Sequence, residues 1–124
     1  MKAKSQCSCQ AAPKLIFPCS GASDVGELTD RAARQMTRDG AGKVYCLAGI
    51  GGRVGVIMET TRAAAKVLVI DGCPQECARK TIEEAGFTGF EHLTLASLGL
   101  NKGSSPVTDQ HLRLVASKGT ELLA

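Results

Sequence analysis

Cys73 and Cys77 stand four positions apart in VLVIDGCPQEC, with Pro74 between them. Cys19 follows the apolar run KLIF, and Cys46 lies inside KVYCLAGI. Thiolates ligate Zn²⁺, hold iron–sulfur clusters, act as nucleophiles and exchange disulfides. The whole chain has 124 residues and six cysteines, below the density of a disulfide-stapled scaffold. In a cytosolic chain with a real apolar core, clustered cysteines mean metal or redox chemistry more often than structural disulfides. The remaining pair, Cys7 and Cys9, sits in QCSCQAAPK, a polar stretch of small residues. It is expected to be a flexible segment over 1–13, in which the two thiols have an accessory role or none.

The elements that must position these thiols alternate. KLIF reads as a strand, and a helix over VGELTDRAARQMTRDG puts Val25, Leu28, Ala32 and Met36 on one face. Asp24 with Glu27 resembles a capping box at its start, and Gly40 is its stop. KVYCLAGI reads as a second strand and GGRVGVIMETTRAAA as a second helix. KVLVID is the clearest strand. PQECARKTIEEAG is a helix with Pro74 near its start and Gly86 at its end. FEHLTLASL gives a fourth strand, NKGSSP a loop, and VTDQHLRLVASKG a last helix capped by Thr108 or Asp109. Strand–helix alternation predicts a parallel sheet covered on both faces. We expect a single three-layer α/β domain over 14–124, doubly wound, with a four-stranded, mainly parallel sheet in the order 2-1-3-4. That is a flavodoxin-like or Rossmann-like layout. Pro18 resists a central first strand, because proline donates no ladder hydrogen bond, unless the strand ends there.

Strand order decides where the thiols meet. The C-terminal strand ends share one edge, where ligands of α/β sheets bind. Cys46, Cys19 and Cys73 would line up along that rim, with Cys19 and Cys73 flanking the switch point. The residues alone leave Cys46 open: the strand ends at it, or it is a buried core thiol. Pro74 at the first helical position would make Cys73 the N-cap, with Cys77 one turn in and pointing back toward it. A helix N-terminus favours negative charge at both sulfurs. Asp71 would cap that helix, support a thiolate's neighbours or act as a base, the first two ahead of the third. Gly72 would permit a backbone conformation or an approach that a Cβ blocks. Gly51 and Gly52 in GIGGR would open the second helix at the same rim, where free N–H groups can face an anion or a metal thiolate. The alternative is a tight strand-to-helix turn. Arg53 would offset thiolate charge or be solvated. His92 and His111 read as ordinary packing or surface residues.

Three stretches, KLIFPCSGASDVGELTDRAAR, YCLAGIGG and DGCPQECA, resemble the DGC domain family. These are small bacterial and archaeal proteins described as zinc-binding, named for the match at Asp71, Gly72 and Cys73. The resemblance spans Lys14 to the C-terminal helix. It implies a zinc site on Cys19, Cys46, Cys73 and Cys77, and so makes Cys46 a ligand. It implies no activity. Four thiolates suit tetrahedral zinc, and the same set could hold an iron–sulfur cluster; the resemblance favours zinc. The spacing is not that of a zinc ribbon, and a metal on a sheet rim points to sensing, storage, transfer or catalysis. From a different class comes a thiol redox or sulfur-transfer enzyme using Cys73 and Cys77, although C-x₃-C is not the C-x-x-C of thioredoxin-like proteins. A small-phosphatase loop is excluded because CSGASDVGE has no arginine after the cysteine. No His-plus-carboxylate constellation supports a hydrolytic zinc enzyme.

Charge excludes further classes. Fifteen basic against twelve acidic residues give +3, and no Lys/Arg run forms a stripe for nucleic acid. No stretch is apolar and long enough for a membrane span, and MKAKSQCSCQAAPK lacks a signal peptide's apolar segment. The expected partner is a metal ion, with neither nucleic acid nor membrane, in the cytoplasm.

Overall fold

Four strands and five helices follow one another in the expected alternation, and the computed structural model describes them over residues 12–124. Cys7, Cys9 and the expected flexible segment up to position 11 lie outside the described residues. The elements are β1 (Lys14–Pro18), α1 (Asp24–Arg38), β2 (Lys43–Val44), α2 (Leu47–Gly51), α3 (Gly55–Arg62), β3 (Lys66–Asp71), α4 (Cys77–Glu84), β4 (Glu91–Thr94), a 3₁₀ turn (Leu95–Leu98) and α5 (Asp109–Leu123). The sheet order is β2-β1-β3-β4, and every pairing is parallel. The expected α/β architecture and strand order are therefore present.

Both faces of the central strands are apolar, which is what a doubly covered sheet requires. Ile16, Leu68 and Ile70 point to one side, where they pack with Val25, Leu28 and Met36 of α1 and Val115 and Leu123 of α5. Leu15, Phe17 and Val69 point to the other, against Ile50, Met58, Ala78 and Ile82 of α2, α3 and α4. Alternation along each strand produces the two cores. Burying each large aliphatic side chain contributes roughly 1.5–3 kcal/mol, so the two central strands anchor the domain.

Pro18 is the last residue of β1, in register with Ile70. The Cys19 N–H bonds the Ile70 carbonyl at 2.9 Å, so by alternation the position of Pro18's missing donor faces the β2 side. β2 has already ended at Val44, and the missing donor costs nothing there.

The structure corrects four boundaries. The second strand is only two residues long, and LAGI belongs to a short helix, α2, that begins directly after Cys46. The expected second helix begins only at Gly55, as α3, with Gly51 closing α2 and residues 52–54 turning between the two. The fourth strand stops at Thr94, which pairs with Asp71, the last residue of β3; beyond it no ladder partner remains, and the chain turns so that Leu95 is fully buried. Ser23, not Asp24, caps α1, accepting from Gly26 N–H at 3.2 Å. Asp24 is drawn elsewhere: its carboxylate accepts N–H bonds from Gly103 and Ser105. Thr108 caps α5 as expected, through His111 N–H.

Candidate functional site

Cys19 is the first residue past β1. Its sulfur lies 3.6 Å from the Thr29 hydroxyl. That hydroxyl donates to the Gly26 carbonyl at 2.7 Å and accepts from Ser20 N–H at 3.1 Å. Its one proton is thus committed, which leaves the thiol to donate. Thr29 is fully buried and fixes the Cys19–Ser20 corner against α1. Ser20 adopts a left-handed backbone at φ 53°.

Two cavities meet at Cys19. One, of about 490 Å³, is lined by Cys19, Cys73 and Cys77 together with Ser23, Asp71 and Lys102. The other, of about 550 Å³, is lined by Cys19 and Cys46 with Asp30, Arg34, Tyr45 and Thr81. A wider groove of about 910 Å³ between α1 and α5 contains no thiol. Cys46 is exposed just before α2, which answers the question its sequence left open: the strand ends before it, and it is no core thiol. Cys77 is exposed, Cys19 and Cys73 are half-buried, and all four are free thiols.

The loop between β3 and α4 departs from the expected helix start. Helix α4 begins at Cys77, and Cys73 does not cap it. The Glu76 N–H bonds the Cys73 carbonyl at 3.2 Å, so Cys73–Pro74–Gln75–Glu76 is a β-turn with proline in its second position, where its fixed φ fits equally well. Glu76 is the N-cap but is left-handed, at φ 54°, and makes no side-chain cap. Asp71 supplies the cap instead. Its carboxylate accepts Ala78 N–H at 2.8 Å and Arg79 N–H at 3.0 Å. The His92 Nε2 lies 2.8 Å from the same carboxylate, and Asp71 is only 1% exposed. Both oxygens are occupied, so Asp71 acts as a cap and support for the thiol loop. Glu76 itself turns to Arg79 at 2.6 Å, a bond that holds its carboxyl below the usual value.

Gly72 is required for close approach. A Cβ there would stand 2.8 Å from the backbone of Val25, at the start of α1. Gly51 and Gly52 need no such allowance: added Cβ atoms would meet nothing nearer than 3.8 and 3.4 Å. Neither opens a helix; Gly51 ends α2 and Gly52 turns toward α3. The tight glycine of that segment is Gly49, packed on Ile57. Arg53 bonds the carbonyls of Ile50, Gly51 and Glu84, and so ties together the C-terminal ends of α2 and α4 rather than offsetting thiolate charge.

The Asp-Gly-Cys stretch thus joins a buried cap, a backbone contact and a rim thiol. The model of the DGC domain matches residues 15–118. The chain belongs to that family. Over 88 residues it is 33% identical to the Anaerobic and virulence modulator AnvM of Pseudomonas aeruginosa, a stretch covering 71% of this chain and 67% of that protein. No solved structure matches the chain.

All four rim cysteines of this DGC domain lie within the matched range. Among the described residues, no three Cys, His, Asp or Glu side chains already stand in a metal-holding arrangement. The donor set nonetheless fits a borderline or soft metal: the first cavity offers three sulfurs, and its one carboxylate, Asp71, is fully engaged. Sequence reasoning missed three residues here. His92 pairs in register with Val69, two residues before Asp71 and on the same face; only the register exposes this diagonal neighbour. Thr29 carried a signal, being a polar residue among the buried positions of α1. Lys102 carried none, because its loop reads only as small and polar. His111 is half-buried, and its Nδ1 lies 2.7 Å from the Pro106 carbonyl beside α5, away from the thiols.

Proposed function

We propose that this DGC domain binds zinc through Cys19, Cys73 and Cys77, with Cys46 reaching across from the adjoining cavity as the fourth ligand. The carrying observation is that three thiols, placed after two adjacent parallel strands on two loops and the first residue of α4, line one cavity, and that Cys19 also lines the cavity containing Cys46. Loading would draw the sulfurs together by rotation about their Cα–Cβ bonds, which a half-exposed rim allows. Zinc bound by four thiolates is redox-silent and closed to substrate, and it becomes exchangeable if one sulfur leaves. Exposed Cys46 is the sulfur positioned to leave. The role is metal-dependent sensing, storage or transfer in the cytoplasm. The modulator named among its relatives supports a regulatory sense for that role. The described residues contain no helix long and apolar enough to cross a membrane.

A second reading is a thiol redox or sulfur-transfer enzyme. It draws support from Cys73 and Cys77 lining the same cavity as free thiols. One experiment separates the readings: purify the reduced chain, then measure metal content and thiol titre together. One zinc per chain with masked thiols is expected. Metal-free protein with a readily alkylated thiol sinks the zinc reading in favour of the enzyme, and a brown, iron-containing protein shows a cluster instead. Cys73→Ser should abolish tight zinc binding while Cys7→Ser and Cys9→Ser leave it intact. Equal losses would put the N-terminal pair among the ligands.

A further inference from the structure

Lys102 lines the cavity shared by Cys19, Cys73 and Cys77, and it forms no ion pair among the described residues. The stretch that carries it is built, not loose. Leu100 is buried in the core on the α1 side. Ser105 is 2% exposed, and its hydroxyl accepts from Asn101 N–H at 2.7 Å and donates to the Asn101 carbonyl at 2.9 Å. The N–H groups of Gly103 and Ser105 both bond the Asp24 carboxylate at 3.0 Å. Asp24 is the first residue of α1, and the preceding Ser23 lines the same cavity. These two backbone bonds hold the Asp24 carboxyl below its ordinary value, so the fastening is ionised at neutral pH.

The acidic groups around the cavity are all engaged elsewhere. Asp71 holds Ala78, Arg79 and His92. Glu76 holds Arg79, and Asp24 holds the loop. Among the described residues that line the cavity, Lys102 is the one full positive charge presented to three sulfurs without a carboxylate to answer it. Zinc with four thiolates is left with excess negative charge, and a nearby cation lowers the free energy of that state.

We infer that Lys102 is the counter-charge of the thiol site, fastened over it by Asp24. This rests on the metal-thiolate reading above. It makes Lys102 a positioning residue that acts through charge on the loaded site, not a ligand. The test uses the reduced full chain and Zn²⁺, with affinity measured by competition against a chromogenic chelator at low and high salt. Lys102→Gln should weaken zinc about tenfold at low ionic strength. The deficit should shrink to about threefold or less in about 0.5 M salt, where screening acts within a few ångströms. Lys102→Arg should retain wild-type affinity, which a loss through misfolding would not show. Wild-type binding that Lys102→Gln leaves unchanged, or a deficit indifferent to salt, or equal deficits in Gln and Arg variants, overturns the inference while leaving the zinc site standing. A wild-type chain that binds no zinc overturns the metal reading and this inference together.

Discussion

Replacing Asp71 by Asn tests the reading of the Asp-Gly-Cys stretch most directly. The Asp71 carboxylate takes three hydrogen bonds, from Ala78 N–H, Arg79 N–H and the His92 ring. Bonds to a charged acceptor contribute about 1 kcal/mol more than bonds to a neutral one, so three of them predict a loss of about 3 kcal/mol. Asparagine keeps the size but turns an N–H₂ toward N–H donors, which adds to that loss. For a chain of this length, the same free energy is roughly 10 °C in melting temperature. Urea unfolding monitored by circular dichroism measures it, with the m-value expected to stay unchanged. His92→Gln, which removes one bond at most, should cost about 1 kcal/mol. Hydrogen exchange should show the Ala78 and Arg79 amides opening first in Asp71→Asn. Because α4 starts at Cys77, zinc affinity should fall as well. An Asp71→Asn protein within about 0.5 kcal/mol of wild type would refute the cap. So would a His92→Gln loss as large as that of Asp71→Asn.

Gly72→Ala drives a Cβ to 2.8 Å from the Val25 backbone and should destabilise by about 1–3 kcal/mol in the same urea assay. Gly51→Ala, whose Cβ meets nothing nearer than 3.8 Å, should be neutral or stabilise by up to about 1 kcal/mol, since alanine favours the helix. Asp24 has its folded value depressed below the ordinary 3.8 by the Gly103 and Ser105 N–H bonds. Its contribution is therefore present above the unfolded value and lost as pH falls through the folded one. Urea midpoints compared between about pH 6 and about pH 3 should fall more steeply in wild type than in Asp24→Asn, and parallel slopes would contradict the fastening.

Strand order was legible because LIF and LVI are apolar on both faces, which only central parallel strands require. The helices α1 and α5 were legible from their periodic apolar faces. YCLAGI was not: a short apolar run fits strand and helix alike, and length alone did not decide between them. The start of α4 was misjudged because proline suits the first helical position and the second turn position equally. The rim placement of Cys19 and Cys73 followed from strand order, whereas the Asp71–His92 contact required the β3–β4 register. Lys102 is brought to the thiols by a carboxylate 78 positions earlier in the chain, through Gly103 and Ser105 N–H bonds; local pattern does not encode such a contact.

Of the three left-handed residues other than glycine among the described residues, Ser20 follows Cys19 and Glu76 precedes Cys77, while Arg53 serves helix ends. Such a backbone costs about 1–2 kcal/mol at each site and persists only where its surroundings hold it. At Glu76 the holding group can be named. Glu76 bonds the Arg79 side chain but none of the backbone N–H groups of its helix, so those N–H groups of α4 would go unsatisfied next to a thiol. Asp71, at the end of β3, reaches them from a neighbouring strand end and stays buried while doing so. Gly72 then lets α1 come within contact of that strand end, and Cys73 begins the turn that leads to Cys77. A cap from the strand, rather than from the position before the helix, lets the intervening turn carry two thiols to the cavity instead of one. A local Ser or Asp cap at position 76 would stabilise α4 as well, yet it would need an extended backbone there and would swing the Cys73 turn away from Cys19. The Asp-Gly-Cys order is thus explained by geometry: the anchor, the gap and the sulfur must come in that sequence for the rim to present three sulfurs together.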